Sequence, residues 1–467
     1  MIKIHNSLSQ KKESLKTIEP NKVRIYVCGV TTYDFCHVGH ARCYTAFDTV
    51  VRYLRYRGYE VEYVRNITDV NDSITKRSSE RGVSEKELVD TYIREMYTDF
   101  DALNILRPNH EPKATESIQG MQDIIQSLID KDIAYQALDE NSQAGDVFFA
   151  VDKFPEYGCL SHRNLDDLQA GARIEVNSSK RNPYDFALWK LDTEDLQESV
   201  WDSPWGRGRP GWHIECSAMS KAYFGNHFDI HGGGMDLKFP HHENELAQSC
   251  GASGEDFVNI WMHNGFVNVD NEKMSKSLNN FFTIREVLKS YHPEELRLFL
   301  MGSHYRGPIN YSNVELDQSR GGLQRLYTAL RGLNLAVEPI ADSEFEKQFQ
   351  SVMDDDFNTP RALAVLFELA REINSVKEAD IQKANGLAAL LVKLGNILGL
   401  FYTTSDEYLK SGHSATLSAE EIEKMIAARN QARADKNWAE SDRIRDDLLE
   451  KGIVLEDSSG TTTWRAK

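Results

Sequence analysis

Between residues 23 and 65 the apolar side chains change their spacing twice, and this change restricts the possible folds more than any other feature of the sequence. Alternate residues are apolar from Val23 to Val27, the pattern of a half-buried strand. From Tyr44 to Leu54 the apolar residues recur at three- and four-residue steps, as in an amphipathic helix. Alternation returns from Val61 to Arg65. A strand, a helix and a strand within about 45 residues have the length of a βαβ unit, so the sequence predicts a parallel sheet covered by helices.

The same order of elements returns in the middle of the chain. A helix is predicted from Trp212, a strand from His227 to His231, a helix beginning near Pro240 and a strand from Val258 to Met262. The irregular stretch 134–199 is interpreted as an insertion between two halves of one sheet. The predicted fold class is therefore α/β, with a Rossmann-like doubly wound parallel sheet that is split by an insertion.

The last third of the chain is predominantly helical. Apolar spacing over 316–401 predicts an antiparallel α-helical bundle, and the polar segment 403–418 is interpreted as a linker. Two short helices, 419–434 and 438–450, then precede an apparent hairpin within 453–464. This pattern predicts a small C-terminal α+β unit.

Composition excludes several classes of protein. Hydrophobic residues make up 40% of the 467 residues, and no apolar run approaches the length of a membrane span, so we expect no membrane partner. The first residues lack the apolar stretch of an export signal, which predicts a cytoplasmic protein. Six scattered cysteines indicate free thiols or metal ligands rather than a disulfide framework. The net charge of -18 disfavours a nucleic-acid partner, but a local basic face can override that average.

The segment His37-Val38-Gly39-His40 lies between the first predicted strand and the first predicted helix. Composition predicts about 0.03 chance copies of the pattern His-x-Gly-His in such a chain. A helix N-terminus attracts phosphate, a glycine lets a base approach the backbone, and two imidazoles can donate to triphosphate oxygens. The alternative is that both histidines only cap and pack the turn.

A second candidate, Lys273-Met274-Ser275-Lys276-Ser277, follows the second half of the predicted sheet. Two ammonium groups three residues apart can bind pyrophosphate oxygens and neutralise the charge that develops as a phosphoanhydride breaks. Taken without the first motif, a loop of lysine and serine is usually solvated surface.

A metal site is a weaker inference from spacing. His241 and Glu245 are four residues apart and would share one helix face, as two ligands need to. Composition alone predicts about two such pairs, so the spacing proves nothing by itself. Cys28 and Cys216 are distant from each other, and one such cysteine is more often a small buried apolar side chain than a ligand.

The two motifs, in this order on two halves of a parallel sheet, resemble the HIGH and KMSKS motifs of class I aminoacyl-tRNA synthetases. Longer segments along essentially the whole chain resemble the cysteinyl-tRNA synthetase family. These are Tyr26–Thr31, Arg65–Asp69, Gly211–Ser217, Phe239–Glu245 and, in the last unit, Trp438, Asp442, Arg445 and Gly460–Trp464.

The resemblance implies three groups of site residues. The ligands of one Zn²⁺ per chain would be Cys28, Cys216, His241 and Glu245. The catalytic residues would be His37, Gly39, His40, Lys273 and Lys276, of which the two histidines and the two lysines would bind ATP with its Mg²⁺. The residues around the substrate cysteine would be Thr68, Trp212, His231 and Asp236. For Trp212 a core aromatic position is the alternative.

The chemistry of the substrate suggests why a cysteine-specific enzyme would hold zinc at these four ligands. Zinc can coordinate a substrate sulfur as thiolate, which neither the hydroxyl of serine nor the methyl of alanine can match at neutral pH. The competing interpretation is a closed structural site, because four protein ligands normally fill a tetrahedron.

The C-terminal units are expected to bind tRNA(Cys). Arginines such as Arg320, Arg325 and Arg331 would contact phosphates, and the expected anticodon contacts are Arg433, Trp438 and Asp442. The other expected partners are ATP and L-cysteine, and we expect a monomer. The implied domains are a first catalytic half (1–107), a connective insertion (108–205), a second catalytic half (206–270), the KMSKS loop and stem-contact region (271–311), the tRNA-binding bundle (312–402) and the anticodon-recognition unit (419–467).

Two rival functions follow from the same residues. A cysteine ligase that passes the amino acid to a sugar amine would share the adenylate and zinc chemistry, but it would have no use for the segment 312–467. A catalytically silent nucleic-acid-binding relative would have no need of an intact HVGH or KMSKS sequence.

Overall fold

The computed structural model describes residues 1–138, 144–163, 179–192, 198–269, 272–273, 281–411, 417–458 and 461–466. The chain forms two compact units. The first consists of Met1–Phe281, Ser303–Asn310 and Val352–Asn358, and the second of Phe282–Gly302, Tyr311–Ser351 and Thr359–Lys467.

The described strands are β1 (Lys3–Asn6), β2 (Lys11–Ser14), β3 (Lys22–Thr31), β4 (Glu60–Thr68), β5 (Ala134–Leu138), β6 (Ala144–Phe149), β7 (Phe186–Leu191), β8 (Gly208–Pro210), β9 (Phe228–Gly234), β10 (Val258–Asn264), β11 (Val267–Val269), β12 (Glu272–Lys273), β13 (Ile309–Tyr311), β14 (Ile453–Ser458) and β15 (Thr461–Ala466).

The described helices are α1 (Val38–Tyr56), α2 (Asp72–Arg81), α3 (Glu85–Ala102), α4 (Ile118–Asp130), α5 (Trp212–Phe224), α6 (Glu243–Ser253), α7 (Ile284–Val287), α8 (Pro293–Met301), α9 (Asn313–Leu330), α10 (Glu344–Asp354), α11 (Thr359–Val376), α12 (Ile381–Ile397), α13 (Ser405–Lys410), α14 (Ala419–Ala434) and α15 (Trp438–Glu450). Across the described ranges, every helix is too short or too polar to span a bilayer.

The central sheet of the first unit confirms the predicted α/β class. Its strands are parallel in the order β10-β9-β3-β4, and α1 connects β3 to β4. The two halves of the sheet meet where β3 pairs with β9, with Tyr26 opposite His231. Both of these residues are fully buried, which is typical of a parallel sheet covered on its faces. The carboxyl ends of β3, β9 and β10 therefore lie side by side.

The insertion is more regular than its sequence suggests. Strands β5, β6, β7 and β8 form an antiparallel sheet in that order, although 134–199 is irregular in apolar spacing. The strands are short, and β6 and β7 are far apart in sequence, so no local turn signal joins them. Two irregularities of register, between Gln136 and Leu138 and between Val147 and Phe148, also interrupt the alternation.

The second unit confirms the helical prediction and adds one element to it. Helices α14 and α15 have the predicted bounds, and β14 pairs with β15 as the predicted hairpin. Helix α13 lies inside the segment interpreted as a linker. Its start is a capping box in which the side chain of Thr404 accepts from the backbone of Glu407, while the Glu407 carboxylate accepts from Thr404. This signal was present in the sequence as Thr-x-x-Glu.

A buried carboxyl in the second unit predicts a pH-dependent stability. Burial raises the pKa of Glu294 from 4.5 to about 7, against hydrogen bonds from the Tyr327 hydroxyl and the Phe401 amide. The folded state therefore binds the proton more tightly than the unfolded state, and stability falls as pH rises from about 4.5 through about 7. Glu294→Gln is expected to remove this fall, which is at most about 3 kcal/mol.

Urea unfolding at pH 5 and pH 8 checks this expectation. The stability of Glu294→Gln relative to the wild type should rise with pH, and the exposed Glu315→Gln should follow the wild type at both values. A constant difference between Glu294→Gln and the wild type would contradict it.

Candidate active site and metal centre

A cavity of about 350 Å³ opens at the carboxyl ends of the parallel strands of the first unit. Cys28, Gly29 and Thr31 of β3, Gly234 at the end of β9 and Asn264 at the end of β10 contribute to its lining. This is the edge at which open α/β sheets bind their ligands, and the volume is that of a small-molecule site.

His37 and His40 line this cavity at the start of α1. His37 is the N-cap: its Nδ1 accepts from the amide of His40 at 3.3 Å, and Nδ1 of His40 accepts from the amide of His37 at 3.2 Å. The rings stack with centroids 3.7 Å apart. Since each neutral ring uses Nδ1 as an acceptor, each carries its proton on Nε2. The capping role and the presence in the cavity are thus compatible, and Gly39 also lines the cavity.

The second motif is only partly described. Lys273 ends β12, where its backbone pairs with Asn268. Its side chain and the whole of Lys276 lie outside the described residues.

Four buried side chains from distant segments meet beside the cavity. Sγ of Cys28 lies 3.6 Å from Sγ of Cys216 and 3.5 Å from Oε1 of Glu245. Nε2 of His241 lies 2.9 Å from the same carboxylate oxygen. One ligand atom from each of these four residues lies within 4.8 Å of every other, and all four are buried. Tertiary structure thus brings together the four residues that the resemblance implies as ligands.

Local backbone structure places Cys28 at this point. The register of β3 against β4 shifts between Val27 and Val30, and the amide of Gly29 donates to Oδ1 of Asn66 at 2.8 Å. A Cβ on Gly29 would lie 1.5 Å from the carbonyl oxygen of Asn66, so only glycine fits next to Cys28. Cys28 itself, only 4% exposed, also contributes to the cavity lining.

The donor set fits zinc. Two thiols, an imidazole and a carboxylate are ligand types that Zn²⁺ takes in proteins. A tetrahedral ion about 2.3 Å from each sulfur requires the sulfurs to be about 3.8 Å apart. The separation of 3.6 Å between Cys28 and Cys216 agrees with that value and is far longer than a disulfide bond.

The electrostatics of the cluster favour ligand charge states. Burial of the Cys216 thiol acts to raise its pKa. Hydrogen bonds from Cys28 and His241 outweigh this effect and lower the pKa to about 6. The pKa of Glu245 lies well below its ordinary value, because His231 and His241 outweigh its burial. Burial raises the pKa of Cys28 well above its ordinary range, with the neighbouring Cys216 adding to the rise. A bound cation is what would ionise this second thiol.

Histidines that the sequence analysis did not select surround the cluster. Nδ1 of His213 lies 3.0 Å from Nδ1 of His241 and so orients the ring whose Nε2 faces Glu245. Nε2 of His242 lies 3.2 Å from Sγ of Cys28, and its Nδ1 lies 2.8 Å from Nε2 of His263. A second group of four possible ligand atoms, from Cys28, His231, His242 and Glu245, results from this crowding. The sequence signals were the adjacent histidines at 241 and 242 and the position of His213 within the family-like segment Gly211–Ser217.

The residues expected around a substrate cysteine divide into two pairs. Trp212 and Asp236 line the cavity, whereas Thr68 and His231 are buried side chains outside that lining. Nε2 of His231 contacts Oε2 of Glu245 at 2.8 Å, so His231 supports a candidate ligand. Trp212 is 39% exposed, and its ring centroid lies 4.3 Å from that of His241. It is therefore not the core aromatic that the alternative interpretation required.

The candidate anticodon residues are exposed in the second unit. Trp438 begins α15 and is 59% exposed, Asp442 is exposed one turn later, and Arg433 pairs with Asp457 at 3.2 Å. Arg331, by contrast, is largely buried, with its guanidinium bound to Glu456 at 3.0 Å. The expectation that Arg331 contacts phosphate is therefore replaced by a structural role between the end of α9 and the hairpin.

Comparison with known proteins gives the class and then the family. The model of the tRNA synthetases class I (C) catalytic domain matches residues 14–321, a DALR domain matches 348–402, and a cysteinyl-tRNA ligase anticodon binding domain matches 417–465. A methionyl-tRNA synthetase structure from Mycobacterium tuberculosis shares the fold, with a TM-score of 0.58 at 14% identity over 83% of this chain and 95% of that one. The fold and the matched catalytic domain define a class I aminoacyl-tRNA synthetase.

Full-length relatives narrow this class to one family. The cysteine--tRNA ligases of Tolumonas auensis and Methylococcus capsulatus are each 55% identical to this chain, over the full length of both proteins. The chain belongs to the cysteine--tRNA ligase family.

Proposed function

We propose that this chain activates L-cysteine with ATP as cysteinyl-adenylate and transfers it to the terminal adenosine of tRNA(Cys). The observation that carries the proposal is the buried cluster of Cys28, Cys216, His241 and Glu245 beside a cavity that also contains both histidines of the HVGH motif. The cavity lining thus includes one candidate ligand of a thiol-binding metal, Cys28, and two imidazoles that can donate to phosphate, His37 and His40.

Catalysis needs no protein nucleophile in this reaction, because the substrate carboxylate attacks the α-phosphorus and pyrophosphate leaves. The chain's residues position the reactants and stabilise charge. Nε2–H of His37 and His40 would donate to phosphate oxygens, and Lys273 and Lys276 would neutralise the charge that develops on pyrophosphate. The Mg²⁺ that accompanies ATP would share that charge.

Selection of cysteine is the chemical problem that the cluster would solve. An apolar pocket distinguishes such close analogues by only about 10- to 200-fold. Zn²⁺ held by the four side chains would supply a site for the substrate sulfur as thiolate, which serine and alanine cannot occupy equally well. Asp236, in the same cavity, would bind the substrate ammonium, and Trp212 would cover the bound amino acid. Thr68 and His231 would act from behind the cavity wall.

The remaining parts of the proposal concern the partners. Arg433, Trp438 and Asp442 would contact the anticodon, where an exposed indole can stack on an unpaired base. Each segment of the chain would have the role that the sequence analysis implies for it, and the chain would act as a monomer in the cytoplasm, where translation uses aminoacyl-tRNA. The full-length match, including the anticodon domain, does not favour the sugar-amine ligase.

Cysteine-dependent exchange of pyrophosphate into ATP, followed by transfer to tRNA(Cys), tests the proposal. Absence of exchange in metal-loaded protein would exclude every adenylating function, including that of the sugar-amine ligase. Exchange without transfer to tRNA would restore the sugar-amine ligase as the better candidate.

Glu245→Gln is expected to weaken the discrimination between cysteine and serine while the KM for ATP is kept. The substitution removes the charge that His231 and His241 contact at 2.8 and 2.9 Å, and an amide is a poorer metal ligand. The ratio of kcat/KM for cysteine to that for serine in the exchange assay should fall by at least about tenfold. The exposed Glu255→Gln is the matched control. An unchanged ratio in Glu245→Gln would count against the assignment of this ligand.

A further inference from the structure

A line of hydrogen-bonding side chains leads from the N-terminal segment to Cys28. Oγ of Ser7 lies 2.8 Å from Nδ1 of His263, and Nε2 of His263 lies 2.8 Å from Nδ1 of His242. Nε2 of His242 lies 3.2 Å from Sγ of Cys28. None of these four residues is more than 6% exposed. We infer that Ser7, His263 and His242, here called the Ser7 relay, position an N–H donor on the Cys28 sulfur and thereby support its binding of the metal.

The direction of the relay follows from the state of Cys28. A cysteine that binds a metal does so as thiolate and has no proton to donate, so Nε2 of His242 must be the donor. A neutral imidazole that donates from Nε2 accepts at Nδ1, which makes Nε2 of His263 a donor as well. Nδ1 of His263 then accepts from the Ser7 hydroxyl. A single direction of donation, from Ser7 through His263 and His242 to Cys28, therefore satisfies all three hydrogen bonds.

Packing holds the relay in place. The amide of Ser7 donates to the carbonyl oxygen of Trp261 at 2.9 Å, two residues before His263 on β10. The rings of Trp261 and His263 are nearly parallel, with an interplanar angle of 4° and centroids 6.4 Å apart. His242 lies at the start of α6, directly after the candidate ligand His241. The relay thus joins three segments around one sulfur.

The physical effect of the relay is on the sulfur. A donor at 3.2 Å stabilises the thiolate and withdraws electron density from it, and such outer hydrogen bonds tune both the affinity for the metal and its electronic state. The inference rests on the proposed zinc site and extends it to residues that do not line the cavity. Ser7, His263 and His242 are therefore positioning residues.

Metal binding by the full-length protein tests the relay, with Zn²⁺ affinity measured by chelator competition. His242→Phe removes the donor and should weaken affinity by about 10- to 100-fold while one ion per chain still binds. His242→Gln places an amide N–H near the same position and should recover most of the loss. Ser7→Ala should weaken affinity by a smaller factor. His227→Phe, which removes a half-buried histidine bound to Asn259, is the matched control and should bind like the wild type.

The Co²⁺-substituted proteins supply a second readout. Loss of the N–H donor should shift the sulfur-to-metal charge-transfer band to longer wavelength in His242→Phe, and His242→Gln should return it toward the wild-type position. Circular dichroism confirms that each variant is folded before it is compared.

Several results would overturn the inference. Unchanged affinity and an unchanged band in His242→Phe would show that the ring only packs there, and unchanged affinity in Ser7→Ala would remove Ser7 from the relay. Failure of His242→Gln to recover binding, with loss of the ion, would make His242 a ligand instead. A metal-free wild type would overturn the zinc site and the relay together, whereas a metal-loaded wild type with fully binding variants overturns the relay alone.

Discussion

Cys28→Ser is expected to abolish detectable cysteine-dependent pyrophosphate exchange and to weaken Zn²⁺ binding by at least about 100-fold. A serine hydroxyl does not ionise at neutral pH, so the substitution removes one of two soft ligands while it keeps nearly the same volume. The Cys28 sulfur is also the atom on which Cys216, His242 and Glu245 converge within 3.6 Å. Loss of this one atom therefore affects the whole cluster.

The measurements for this prediction are metal content, exchange rate and the KM for ATP. Cys250→Ser is the matched control, because Cys250 is a partly buried cysteine of the same unit that does not belong to the cluster. It should retain both metal and exchange. Full metal content in Cys28→Ser would contradict the assignment of Cys28 as a ligand, and full exchange without metal would contradict the role of the ion in selecting cysteine.

Lys276→Ala is expected to slow adenylation by about 10²- to 10³-fold, with a much smaller effect on cysteine binding. The ammonium group is assigned to the charge that grows on the pyrophosphate oxygens during bond cleavage, so its contribution is larger in the transition state than in the ground state. This prediction depends on the sequence motif, since Lys276 lies outside the described residues.

Pre-steady-state measurement of adenylate formation, together with the affinity for cysteine, checks this expectation. The exposed Lys289→Ala makes the same change of charge elsewhere and should leave both quantities unchanged. Equal losses of adenylation rate and cysteine affinity in Lys276→Ala would indicate a folding defect rather than loss of a transition-state contact.

Local patterns accounted for much of the fold. The spacing of apolar residues predicted β3, α1 and β4, and the last two helices, because each of these elements has one clear period and recognisable ends. The sheet of the insertion was missed because β6 and β7 are paired across a long stretch of chain and their register is irregular. Local spacing carries no information on such pairing.

The metal cluster can also be divided into features that the sequence indicated and features that only the tertiary structure provided. Residue types and the family resemblance selected Cys28, Cys216, His241 and Glu245, whereas spacing alone supported only the last two. That the four ligand atoms approach one another follows from the order of the parallel strands, which places β3 beside α5, and from the packing of α5 against α6. A side chain such as His263, far from Cys28 in sequence, enters the site only through this arrangement.

The sequence by itself determined the kind of chemistry and the kind of fold: the periods of its apolar residues specify parallel strands and helices, and its motifs specify the family. Tertiary structure alone decided which histidine supports which ligand and that Arg331 serves structure rather than phosphate. The physical reason is the distance along the chain over which each kind of interaction acts. Periodicity and capping act over a few residues, whereas hydrogen bonds in a buried site join atoms that only the completed packing brings within about 3 Å.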